Sequence, residues 1–364
     1  MYKKARNISM NIYKQQKTYF HFGKSDFYYN IILSCDDGFQ LTLSSIGASI
    51  RQLLYPFPDG NLKNIVLSFT NDEAYFSNFL YAGATLAPCA GRISNGCLPV
   101  GNIIYSLSCN ENSQHTLHGG FQTAAFSNWN LQTAHTDWDH VTVVFNLSLP
   151  DGLDGFPGNR KIIVSYILQE DHTLTIHYEA ISDQDTYFNI SNHTYFNLNG
   201  DFSLPIFDHL LEIQAENYIC NRIDFIPEYI LPVKNTPFDF RKSTLIKTNM
   251  QNFPSDKQLL ENKGYNHAFI LNHTSNTPDL HCTAINSPLH LKVISDSPCM
   301  VLYSGGFIES GLSLSAKQKT MPSCALAFEF QDYPDAPGKH AFPYSVSPAG
   351  ETWKRTITYK FSRS

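Results

Sequence analysis

Five short stretches of this 364-residue chain place titratable or hydrogen-bonding side chains beside turn residues. They are CAGRISNG (89–96), HTLHGG (115–120), SNHTYFNLNG (191–200), GYNHAF (264–269) and CALAFEFQDYPDAPGKHAFP (324–343). Imidazole and carboxylate are the side chains that most often move protons in catalysis. Local context leaves several readings open. Asn192-His193-Thr194 is formally a glycosylation acceptor, as is the pattern at Asn272. His193 also reads as a metal ligand, a satisfied core histidine, or a catalytic acid in a sugar site. His118 precedes two glycines, which let a ligand approach the backbone, but a loop histidine without a role fits equally. Arg92 offers a rigid fork of donors, and a surface ion pair is the plainer local reading. Glu329 lies in an apolar run. If buried it must be paired or hydrogen-bonded, yet Cys324, Leu326 and Phe328 alternate away from it and allow it to face solvent.

Other chemistries lack their signatures. There is no HExxH and no tight His/Asp/Glu cluster at ligand spacing, so neither a metal nor another cofactor is expected. A GxSxG elbow, a phosphate loop and a GxGxxG turn are missing too. The formal charge of −6, with no long basic block, argues against nucleic acid as a partner. No apolar run approaches the ~18 residues of a spanning helix, so no membrane partner is expected. The eight cysteines form no CxxC pair and read as free thiols of a reducing compartment. The N-terminus lacks the apolar core of a signal peptide, which points to the cytoplasm and strips the glycosylation patterns of meaning.

The elements that must carry these residues are strands. Val141, Val143, Phe145, Leu147 and Leu149 alternate with polar positions, and Leu174, Ile176, Tyr178 and Ala180 do the same. Trp353, Ile357, Tyr359 and Phe361 repeat the pattern near the C-terminus. Turn chemistry such as Pro150-Asp151-Gly152 and Asn199-Gly200-Asp201 separates the runs. The longest helical candidate, about residues 241–262, is interrupted by Pro254. The pattern predicts an all-β protein, a large antiparallel sandwich with few short helices. Residues 1–25 read as an N-terminal extension and 26–364 as one domain.

Taken in order, the landmarks GRI, LHGG, NHTYFNL, a G-[FY]-x-H turn and Glu-x-Gln followed by PDA resemble those of the galactose mutarotase (aldose 1-epimerase) family. The resemblance spans roughly residues 30–362. It implies a β-sandwich with a sugar cleft on one face, His193 as general acid and Glu329 as general base. It further implies that Arg92 and His118 contact the sugar and that Asn192 and Tyr195 shape the pocket, with Asn266 among the sugar contacts. Gly91, Asn266 and Val301 depart from the family pattern, which commonly has Asn, Asp and Gln there; they bear on which sugar is recognised.

Anomer interconversion needs a base for the anomeric hydroxyl and an acid for the ring oxygen, then the reverse on ring closure. Ionised Glu329 and protonated His193 meet that need, and each charge would stabilise the other. A free aldohexose, galactose or glucose, is the expected substrate. A sugar-phosphate epimerase of the same fold and a non-catalytic sugar sensor are the alternatives, and a monomer or homodimer the expected assembly.

Overall fold

The computed structural model describes residues 10–21, 24–274 and 277–363. Three antiparallel sheets dominate it. The largest has nine strands, ordered Asn130–Thr136, His140–Leu149, Arg160–Gln169, Thr173–Ser182, Trp353–Arg363, Leu289–Ser295, Leu280–Ala284, His209–Ile213 and Thr244–Leu245. Its C-terminal strand therefore sits in the middle, paired on both edges. The alternation seen in the sequence is real burial: Val141, Val143, Phe145, Leu147 and Leu149 all face the core. One apolar cluster joins this face to the other two sheets, through Leu41 and Ile50 on one and Met300, Phe328 and Phe330 on the other. The sandwich follows from this, because sheets with one apolar face must cover each other.

The second sheet has six strands: Tyr195–Phe196, Leu326–Gln331, Cys299–Tyr303, Asn266–Leu271, Ala215–Asn221 and Pro227–Pro232. Its strand Leu326–Gln331 is buried on both faces. Sequence alternation could not orient Glu329 for that reason. The third sheet runs Met10–His21, Lys24–Cys35, Gln40–Ser44, Ser49–Pro56 and Leu62–Asn64. Residues 10–21, within the stretch read as an extension, pair along their length with Lys24–Cys35; residues 1–9 and 22–23 lie outside the described residues. The helical candidate around 241–262 resolves into Ile246–Asn252 and Lys257–Glu261 on either side of Pro254, the second capped by Asp256.

A part-buried polar hub ties the N-terminal strands to the segment around Asp72. Asp72 accepts from Arg51 (2.5 Å), Lys17 (2.7 Å), Tyr28 (2.5 Å) and Asn30 (3.2 Å). Arg51 also lies over the Tyr75 ring. Burial alone would raise the Asp72 carboxyl, but Arg51, Lys17 and Tyr28 outweigh it and hold it well below the usual range. Asp72→Ala strands a buried guanidinium, and we expect a loss of about 3–5 kcal/mol in denaturant unfolding. Because the folded pKa is depressed, the hub's contribution is complete above the unfolded value of about 3.9 and fades as pH falls towards the folded one. Wild-type and Asp72→Ala stabilities should therefore converge on acidification.

Candidate active site

A cavity of about 250 Å³ opens on the outer face of the six-stranded sheet. Register explains how its floor is assembled. Glu329 pairs with Val301, and Val301 with Ala268, so these three side chains form one row across the strands. The next row is Tyr195, Ala327, Tyr303 and Asn266. Gln331 lies two residues beyond Glu329 on the same face. All but Ala327 line the cavity.

His193 comes from the link between short strands Ser191–Asn192 and Tyr195–Phe196. Its backbone is locked: the N–H donates to Ala84 O and the C=O accepts from Gly83 N–H, both at 2.9 Å. Gly83 has φ +72, and a Cβ there would come within 2.0 Å of the Ile50 carbonyl oxygen. Only glycine allows that approach. The imidazole is thereby held with Nε2 3.5 Å from Glu329 Oε1, both side chains about 5% exposed. Its Nδ1 is buried without a partner. The Tyr195 ring lies 4.7 Å from the imidazole.

The sequence suggested that Glu329 and His193 would stabilise each other's charge. Burial overrides this. It pushes the Glu329 carboxyl up to about 8, against the pull of Arg92 and the Gln331 amide. It pushes His193 down to about 4. The free pair thus holds one proton across that interval, resting on the carboxyl.

His118 sits at φ +48 ahead of its two glycines. Its Nδ1 accepts from Gly91 N–H at 3.1 Å, which leaves the ring proton on Nε2 as a donor. Burial, then His193 and Arg92, keep the ring well below the usual histidine range, and so neutral. His118, His193 and Glu329 bring ligand atoms within 4.8 Å of one another, a cluster that sequence spacing concealed. The bonding does not suit a resident metal. Ligating histidines normally donate their second N–H to an acceptor, whereas His118 Nδ1 itself accepts and His193 Nδ1 is unpartnered.

Arg92 lines the cavity but is not free. Glu111 grips it twice, at 2.7 Å to Nε and 2.6 Å to Nη2. The sequence drew attention to Arg92 and gave no signal for Glu111, which lies in a polar loop. Gln331 was also missed, although the period of a strand places it beside Glu329. It donates to Glu329 Oε2 at 3.3 Å and accepts from Asn189. Gly91 makes room for it, since a Cβ there would sit 2.9 Å from Gln331 Oε1. Tyr81, Tyr303, Phe225 and Phe307 complete an aromatic wall. Asn266 and Val301 line the cavity as well. Asn192 does not: its amide donates to Gly83 O and its oxygen accepts from Thr194, so it shapes the His193 turn from behind.

A family model described as Aldose 1-epimerase matches residues 30–360. The chain belongs to the aldose 1-epimerase family. Galactose mutarotase of Mus musculus is 30% identical over 90% of this chain and 92% of its own length. Aldose 1-epimerase of Escherichia coli K12 is also 30% identical, over 89% and 92%. In three dimensions the chain is similar to the crystal structure of galactose 1-epimerase from Lactobacillus acidophilus NCFM, with TM-score 0.82, 29% identity and coverage of 98% and 99%.

In this aldose 1-epimerase the Glu111 clamp should matter for binding. Glu111→Gln removes the charge and one of the two acceptor oxygens that hold the Arg92 fork. Steady-state kinetics should show a roughly tenfold fall in kcat/KM, about 1.4 kcal/mol, carried mainly by KM.

Proposed function

We propose that this aldose 1-epimerase interconverts the α and β anomers of a free aldohexose, galactose or glucose, with His193 and Glu329 as its acid–base couple. The observation that carries this is the buried 3.5 Å contact between the two. Ring opening uses Glu329 to take the anomeric proton and His193 to protonate the ring oxygen. That step begins from carboxylate and imidazolium and ends with the carboxyl protonated and the imidazole neutral. The end state has the proton distribution favoured by burial in the free pocket. After the carbonyl end rotates, the same groups work in reverse, so ring closure regenerates the ionised pair. The two distributions hold the same number of protons, and the cycle consumes none.

The choice of a free sugar over a sugar phosphate is supported by charge. The cavity lining has one guanidinium, Arg92, already paired with Glu111, beside the carboxyl of Glu329. A phosphate dianion would meet no uncompensated cation there. The aromatic wall suits the apolar C–H faces of a pyranose. The names of the relatives include galactose. Asn266, which brings amide donor and acceptor atoms but no charge, and Val301, which brings none, would set which hydroxyls are read.

The eight cysteines are all free, six of them buried, which fits a reducing, cytoplasmic setting. A monomer or homodimer is the proposed assembly. Among the described residues no helix is long and apolar enough to cross a membrane.

Polarimetry of fresh α-D-galactose and α-D-glucose, with hexose 6-phosphates alongside, tests the substrate. Turnover confined to the phosphates would overturn the free-sugar reading. Glu329→Gln and His193→Asn should each lower kcat by at least roughly a hundredfold while sugar still binds. An unchanged rate in either variant removes that residue from the couple. The pH profile of kcat/KM should be bell-shaped. Below about 4 the pair holds two protons and above about 8 none, so activity falls on both sides.

A further inference from the structure

Away from the cavity, a second group of metal-ligating side chains converges where two sheets meet. Cys35 ends the strand Lys24–Cys35, Asp37 lies in the turn that follows, and His172 lies in the turn between Arg160–Gln169 and Thr173–Ser182. One ligand atom from each falls within 4.8 Å of the others. None of the three lines the acid–base cavity.

We propose that Cys35, Asp37 and His172 form a zinc site that clips the N-terminal sheet to the nine-stranded sheet. A thiolate, an imidazole nitrogen and a carboxylate oxygen, with water in the fourth position, are a donor set that suits tetrahedral Zn²⁺. The donors are held in place by the surrounding structure. Asp37 Oδ1 accepts from Phe39 N–H at 3.0 Å, which turns Oδ2 towards His172 Nε2, 2.9 Å away. His172 takes φ +62, a left-handed conformation uncommon for a residue with a Cβ. Its ring lies flat on Phe39, with centroids 4.4 Å apart and planes at 11°. Its carbonyl accepts from Phe361 N–H. Its Nε2 is buried, with Asp37 Oδ2 as its facing partner. The neighbouring charge is largely acidic: Asp36, Asp37 and Glu170 act on Cys35, while Arg363 opposes them at His172. Asp171 is already paired with Lys360. Binding would displace the thiol proton to solvent and change no oxidation state.

The test uses the metal-stripped full-length protein, titrated with Co²⁺ and followed by absorbance, then challenged with Zn²⁺. The expected result is one Co²⁺ per chain, a thiolate-to-cobalt charge-transfer band, displacement by Zn²⁺, and a higher melting temperature with Zn²⁺. Cys35→Ser should abolish the band. His172→Asn, which tolerates the left-handed backbone, should weaken binding by at least roughly tenfold. Both variants should retain mutarotation, which reports that they fold. Absence of the band in the wild type, or a band and affinity unchanged in both variants, would overturn the proposal. Should Cys35→Ser fail to fold, His172→Asn alone decides.

Discussion

His193 and Glu329 meet 3.5 Å apart in a cavity that leaves both nearly sealed from water. Two opposite charges so placed would ordinarily settle into a static ion pair. Burial prevents that by making both ionised forms costly, which lifts the carboxyl and lowers the imidazole. What results is a couple that holds one proton between about pH 4 and pH 8, resting on the carboxyl. In the proposed mechanism, anomer interconversion alternates between the ionised pair and this neutral one, and burial sets which of the two is the resting form.

Holding that balance requires side chains that cannot drift. Glu329 is fixed by its pairing with Val301 on the neighbouring strand and by the amide of Gln331. His193 has no such strand around it. Its position depends on Gly83, whose backbone bonds the histidine's carbonyl on one side and Ile50 and Asn192 on the other. The rigid half of the couple thus comes from sheet register, and the other half from a backbone contact close enough to demand glycine.

Charge around the couple is arranged with equal economy. Arg92 is the cavity's one guanidinium, and Glu111 both orients and neutralises it. On the proposed reading its fork serves neutral hydroxyls without drawing in an anion. The three departures from the family pattern all border this region. Gly91 takes the left-handed φ of +71 beside Gln331, while Asn266 and Val301 set the polar surface a sugar would touch.

Much of this was legible beforehand. Period-two alternation named the buried faces of His140–Leu149 and Thr173–Ser182, because a half-covered strand must alternate. Landmark motifs in order carried His193, Glu329, Arg92, His118, Tyr195 and Asn266 to one cavity, since a motif preserves residue identity even where local patterning is mute. What the sequence left open has physical reasons. Glu329 lies on a strand covered on both sides, where alternation has no outside to point to. Glu111 and the His118–His193–Glu329 cluster unite residues distant in the chain, and no spacing rule reaches that far. Asn192 adjoins His193 in sequence yet does not line the cavity, because its amide completes the turn that holds the histidine. The chain alone determined which residues could move a proton. Tertiary burial decided where that proton rests, because the cost of a charge depends on how much water surrounds it, and that is a property of the folded molecule.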